Sequence, residues 1–172
     1  MPTSNLKAGC LDRLLNAIAL TLVLNAGFRW FSTHYFIGHD SQPVTCLSGS
    51  PRWFLIDRAA TPGRSGEFLA FRADGRMAPE IPIGTLIVKR IEAEAGSLIE
   101  IGENVVRIEG RPQVLPYPHR TRLGSRALLK GSRIRIPEGG YFVLGDHPKS
   151  LDSRYYGDIR KEQVIGRARI LF

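Results

Sequence analysis

Cysteine is nearly absent. Cys10 and Cys46 are the only two in 172 residues, and four histidines are scattered around them. Two distant thiols and isolated imidazoles cannot be assembled into a zinc pattern, so no metal site is expected. Acidic residues are in deficit, 16 against 24 Lys and Arg, which gives a net charge of +8. The basic residues read as spread along the chain and not gathered into one tract. That argues against direct binding of nucleic acid. Internal repeats and low-complexity tracts are missing. After residue 40 no helical period persists for more than a few turns. The length suits one domain with a sizeable core plus a short appendage.

Only one long apolar run is present: "LLNAIALTLVLNAGFRWF", Leu14 to Phe31. At about 1.5 Å per residue it is just long enough to cross a bilayer. Lys7 and Arg13 precede it, which favours a cytoplasmic N-terminus. Arg29, Trp30 and Tyr35 suit the opposite interface. A cleaved signal peptide and a buried helix are the other readings. Cleavage after "LNA" would put Leu24 where a small residue is needed, so an uncleaved anchor is preferred. "KAGC" has no apolar stretch before it, which excludes lipidation of Cys10. An anchor with its N-terminus inside separates Cys10 from Cys46, and the two then cannot pair.

Beyond the anchor the chain reads as short strands broken by Gly and Pro. "RWFLID" (Arg52–Asp57), "EFLAFR" (Glu67–Arg72) and "TLIVKRIE" (Thr85–Glu92) have strand length and composition. "LIEI" and "VVRI" flank "GEN" as a hairpin from Leu98 to Ile108. "RIRI", "YFVL" and "VIGRARILF" complete the set, and an inserted loop or short helix is expected near 115–132. The fold class is all-β, with a β-sheet domain over 36–172 preceded by a cytoplasmic tip and one transmembrane helix over 1–35.

Two stretches carry chemistry. In a strand, Thr85, Ile87, Lys89 and Ile91 share one face. If that face is buried, desolvation favours the neutral amine, the form that acts as a general base. An edge-strand lysine with its head in water fits the same pattern. The second stretch is "GDHPKSLDSRYYGDI", residues 145 to 159. If it is extended, Ser150, Asp152 and Arg154 lie on one face. Asp152 and Arg154 can then pair through the planar guanidinium fork, and Ser150 is available to a neighbouring amine.

Taken together, "VKRIEAEAG" and "GDHPKSLDSRYYG" resemble the lysine motif and the final motif of the signal peptidase I family, whose members use a Ser–Lys dyad. The final motif matches at Gly145, Asp146, Ser150, Asp152, Ser153, Arg154 and Gly157, and "GEFLAF" resembles a further family strand at Gly66. Gly96-Ser97 departs from the Gly-Asp often found after the lysine strand. The short length and the "IGRARIL" ending are most similar to the conjugation branch, the TraF-type peptidases that mature pilin. The resemblance implies that Lys89 is the general base and that Ser150 orients its amine. It implies that Asp152 and Arg154 support them, and that Gly145 and Asp146 shape the loop.

The nucleophile is the poorest match. The family has a Ser followed closely by Pro, just outside the membrane. Ser41-Gln42-Pro43 has that spacing, whereas Cys46-Leu47-Ser48 resembles the "S-L-P" of conjugation peptidases with Cys in the Ser position. A thiol is a sensible substitute, because a thiolate needs less help than a hydroxyl. Cys46 is preferred, then Ser41, then Ser48. The implied protein is a single-pass peptidase of the inner membrane with its catalytic domain in the periplasm. Its partner is a precursor protein, a pilin or another signal-peptide-bearing chain. No cofactor and no nucleic acid are expected. A catalytically inactive scaffold of a conjugation or secretion assembly is the alternative.

Overall fold

The computed structural model describes residues 3–41, 45–60, 63–102, 105–113, 122–123, 126–127, 129–147 and 150–172, with side chains from residue 11 onward except at 122–123 and 126–127. The chain divides into two units, Met1–Phe36 and Ile37–Phe172.

The first unit is helix α1 (Thr3–His34), which continues past both ends of the apolar run. Its segment Leu11–His34 has 24 residues and a mean hydropathy of 1.4, so it is long and apolar enough to cross a membrane. Hydroxyl side chains within it bond back to helix carbonyls. Thr21 donates to the Ala17 carbonyl at 2.8 Å, and Thr33 donates to that of Arg29 at 2.7 Å. At its end Phe31 stacks on Tyr35 with ring centroids 5.2 Å apart.

The second unit is built from strands, as its alternation predicts. They are β1 (Tyr35–His39), β2 (Trp53–Asp57), β3 (Phe68–Arg72), β4 (Leu86–Glu94), β5 (Leu98–Ile101), β6 (Val106–Ile108) and β7 (Arg111–Gln113). Two-residue strands β8 (Arg122–Leu123) and β9 (Arg126–Ala127) follow. Then come β10 (Arg133–Arg135), β11 (Tyr141–Leu144), the single turn α2 (Ser153–Tyr156) and β12 (Val164–Ile170). Most of the insertion expected near 115–132 lies outside the described residues.

Six strands form one sheet in the order β1-β2-β12-β3-β4-β11, and four form a second in the order β10-β5-β6-β7. The last strand, β12, is therefore clamped between β2 and β3. Its register shifts between Val164 and Gly166 where it crosses β3. A side chain at Gly166 would run into the Asp57 backbone, 2.8 Å from its carbonyl carbon, so only glycine fits that crossing.

One apolar core draws on both sheets. Leu69, Phe71, Ile91, Phe142 and Val143 come from the first, and Ile99, Ile101 and Val106 from the second. Tyr155 and Tyr156 of α2 close it. In β4 the buried residues are Lys89, Ile91 and Ala93, the period-two face expected from sequence. The edge-strand reading of Lys89 is overturned, because β4 lies between β3 and β11.

Candidate active site

Lys89 is buried to 4% exposure on the inward face of β4. Leu69 of β3 is its cross-strand partner on one side, and on the other β11 pairs with β4 as far as Arg90. A buried lysine needs a polar partner, since an unsatisfied donor in the interior costs about 1–3 kcal/mol. Its Nζ donates to Ser150 Oγ at 2.9 Å, and Ser150 itself is fully buried.

Ser150 is held by the loop after β11. Its amide donates to the His147 carbonyl at 2.9 Å. Gly145, the first residue of that loop, must lack a side chain. A Cβ there would fall on Ser150 Oγ and come within 3.0 Å of the Cys46 carbonyl. The loop does not stay extended, the condition under which Ser150, Asp152 and Arg154 would share one face. It turns into α2 at Asp152, whose carboxylate caps that turn through the Arg154 amide. The Asp152–Arg154 pair forms all the same. Nε donates to Oδ1 at 2.6 Å and Nη2 to Oδ2 at 2.5 Å, with both residues buried. Asp152 Oδ2 also accepts from the Gly145 amide at 3.1 Å. Burial alone would pull the Arg154 guanidinium down, but its bonds to Asp152 outweigh that and hold it above the usual arginine value.

Asp146 ties the loop to two other segments. It accepts from Arg90 Nη2 at 2.6 Å and from the Ser48 amide at 2.8 Å. Burial pushes its carboxyl up, but the Ser48 hydrogen bond and the Arg90 charge prevail and hold it below its ordinary value of 3.8. The Cys46 carbonyl accepts from the amides of Asp146 at 2.7 Å and His147 at 3.3 Å. The main chain at Cys46 is thus fixed by the loop that presents Ser150 to Lys89.

A cavity of about 410 Å³ opens over these groups, lined by Lys89, Cys46 and Ser41 together with Gly38, His39 and Asp40. Phe54, Leu86, Ile87, Val88 and Leu151 make much of its wall apolar. Cys46 is half-buried and Ser41 exposed. Ser48 is exposed and does not line the cavity; it meets the site through its bonds to Asp146. Pro43, expected to stiffen the turn after Ser41, lies outside the described residues. Among the described residues no group of three or more His, Cys, Asp or Glu is placed to hold a metal ion.

Sequence reasoning missed the contribution of β1 to the cavity wall. "YFIGH" directly follows the apolar helix and reads there as its interfacial flank. It also missed the bonds from the loop to the Cys46 carbonyl, because backbone partners have no side-chain signature.

Known proteins resemble this chain along nearly its whole length. The family model described as signal peptidase, peptidase S26 matches residues 11–172. A signal peptidase I of Bacillus licheniformis is 33% identical over 175 residues, covering 96% of this chain and 90% of that protein. The conjugal transfer protein TraF of Agrobacterium fabrum is 30% identical over 86 residues, 49% of this chain and 48% of that protein. Among solved structures, a signal peptidase I from Enterococcus faecalis aligns with a TM-score of 0.43 at 23% identity, over 66% of this chain and 100% of that one. With its motifs, its β-sheet domain and its apolar N-terminal helix, the chain belongs to the signal peptidase, peptidase S26 family, and is a signal-peptidase-like protease with one candidate membrane anchor.

Proposed function

We propose that the chain is a single-pass endopeptidase in which Cys46 is the nucleophile and Lys89 the general base. The observation that carries this reading is the shared loop. Asp146 and His147 bond to the Cys46 carbonyl, and Ser150, which bonds to the His147 carbonyl, accepts from the Lys89 amine. Ser41 lines the same cavity but is exposed. In this reading Lys89 takes the thiol proton and the sulfur attacks the scissile carbonyl. Lys89 then returns the proton to the departing amine. The acyl-enzyme is resolved by water, which hydrolyses it, or by an amine, which makes a new peptide bond. Ser150 orients the amine of Lys89, Asp152 and Arg154 hold Ser150, and Gly145 and Asp146 shape the loop.

The substrate in this reading is the precursor of a secreted or membrane-inserted protein, cleaved outside the cytoplasmic membrane. Similarity to a conjugal transfer protein over half the chain supports a conjugative pilin. Lys7 and Arg13 ahead of the apolar helix support a cytoplasmic N-terminus and a periplasmic domain. The test is the intact mass of a candidate pilin produced with and without this protein. A shortened product is expected. Loss of one further water would identify cyclisation. An unchanged precursor mass would contradict the reading.

A further inference from the structure

The basic excess is more localised than the scattered reading of the sequence suggests. Residues 107–135 hold eight of the 24 basic residues and one of the 16 acidic ones, so the remainder of the chain carries 16 against 15. Of these eight, Arg107, Arg111, Lys130, Arg133 and Arg135 have described side chains, and all are exposed. They belong to the second sheet or to the turn that enters it.

Strand register sorts them by face. Arg133 is opposite Glu100, Glu100 opposite Arg107, and Arg107 opposite Pro112, so these four form one row across the sheet. Arg135 and its partner Leu98 form the next row. The opposite face carries Ile99, Ile101 and Val106 in the core. The arginine face is therefore the solvent face. Neighbouring strands lie about 4.8 Å apart, so Arg133 and Arg107 stand about 10 Å from one another. Arg133 bonds to Glu100 at 2.8 Å and Arg135 to the Gly96 carbonyl at 2.9 Å. A guanidinium has five N–H donors, so one bond apiece does not saturate either.

We infer that this face, built around Arg107, Arg133 and Arg135, docks on anionic phospholipid headgroups. Charge complementarity with phosphodiesters selects an anionic partner. Among the described residues, this face has no aromatic ring on which a nucleic-acid base would stack. The inference rests on the membrane-anchored reading of α1. A tethered domain samples the bilayer surface at high effective concentration, so a few arginines are enough to bias its contact.

The test uses the full-length chain in nanodiscs of phosphatidylcholine alone or mixed with phosphatidylglycerol. An arginine-selective dicarbonyl reagent is read residue by residue by mass spectrometry, with exposed Arg64 and Arg72 as references. Arg107, Arg133 and Arg135 are expected to label roughly fivefold more slowly in the anionic discs. The difference should collapse in high salt. The double variant Arg107→Gln, Arg133→Gln should lose the protection at Arg135 while processing a precursor in detergent at the normal rate. Equal labelling in both discs overturns the inference, as does equal slowing at Arg64 and Arg72. Protection conferred in phosphatidylcholine discs by added DNA or an acidic peptide, and not by lipid, assigns the face to another partner and also overturns it. A chain that fails to enter nanodiscs defeats the anchor and the inference together. Absence of proteolysis with lipid-dependent labelling intact defeats only the catalytic assignment.

Discussion

At the scale of single residues, burial decides what each group can do. Lys89 is at 4% exposure and bonds to the Ser150 hydroxyl, so its amine is fixed, and among the described residues no carboxylate is bonded to it. Lys89→Arg should abolish processing even though charge is kept, because a guanidinium does not deprotonate in a protein. A fall of at least ~10²-fold in the rate of precursor cleavage is expected. An active Arg variant would remove Lys89 from the role of base. Tyr156 gives a contrasting case. Among the described residues its hydroxyl is buried without a hydrogen-bond partner, and burial, reinforced by the nearby Asp152 charge, pushes the phenol well above its ordinary value. Tyr156→Phe should therefore raise stability by about 1 kcal/mol, read as a later urea midpoint at an unchanged slope. An earlier midpoint would mean that the hydroxyl has a stabilising partner.

At the scale of elements, the loop from Gly145 into α2 carries the most interactions. The Asp152–Arg154 pair is bidentate and buried, and it also accepts the Gly145 amide. Asp152→Ala takes the paired carboxylate away from the buried Arg154 charge, which should cost about 3–5 kcal/mol in chemical denaturation. A loss under 1 kcal/mol would mean that water reaches the arginine. Asp146 makes the stability depend on pH. Its carboxyl is held below its ordinary value of 3.8, so its contribution is complete above that value. It is lost as pH falls through the lower, folded value. Asp146→Asn should thus be less stable than the parent at neutral pH, with the gap closing in acid. A gap that widens as pH falls would reverse the sign of the assignment.

At the scale of the whole molecule, the legible features were those written in side-chain periodicity. The alternation gave the buried face of β4 at Lys89 and Ile91, while Ile87 is half-buried and Thr85, ahead of the strand, is exposed; the Asp152–Arg154 spacing gave their pair. The spacing from Ser150 to Arg154 left the shape of the loop open, because a capped single turn puts the same two residues within reach as an extended segment does. The placement of β12 between β2 and β3 has no local signal; it follows from long-range pairing that a linear reading cannot reach. The same limit applies to the nucleophile. Ser41 and Cys46 both line the cavity, and what distinguishes them is backbone bonding between Cys46 and a loop about 100 residues away.

The identity of that nucleophile is the centre of the account, and single substitutions test it most directly. The intact mass of a precursor is followed over time with the full-length parent, Cys46→Ala, Ser41→Ala and Ser48→Ala proteins, each checked for folding by its denaturation midpoint. The account predicts normal cleavage by both serine variants and none by folded Cys46→Ala. Normal cleavage by Cys46→Ala together with an inactive Ser41→Ala would contradict it and make this a serine peptidase by mechanism.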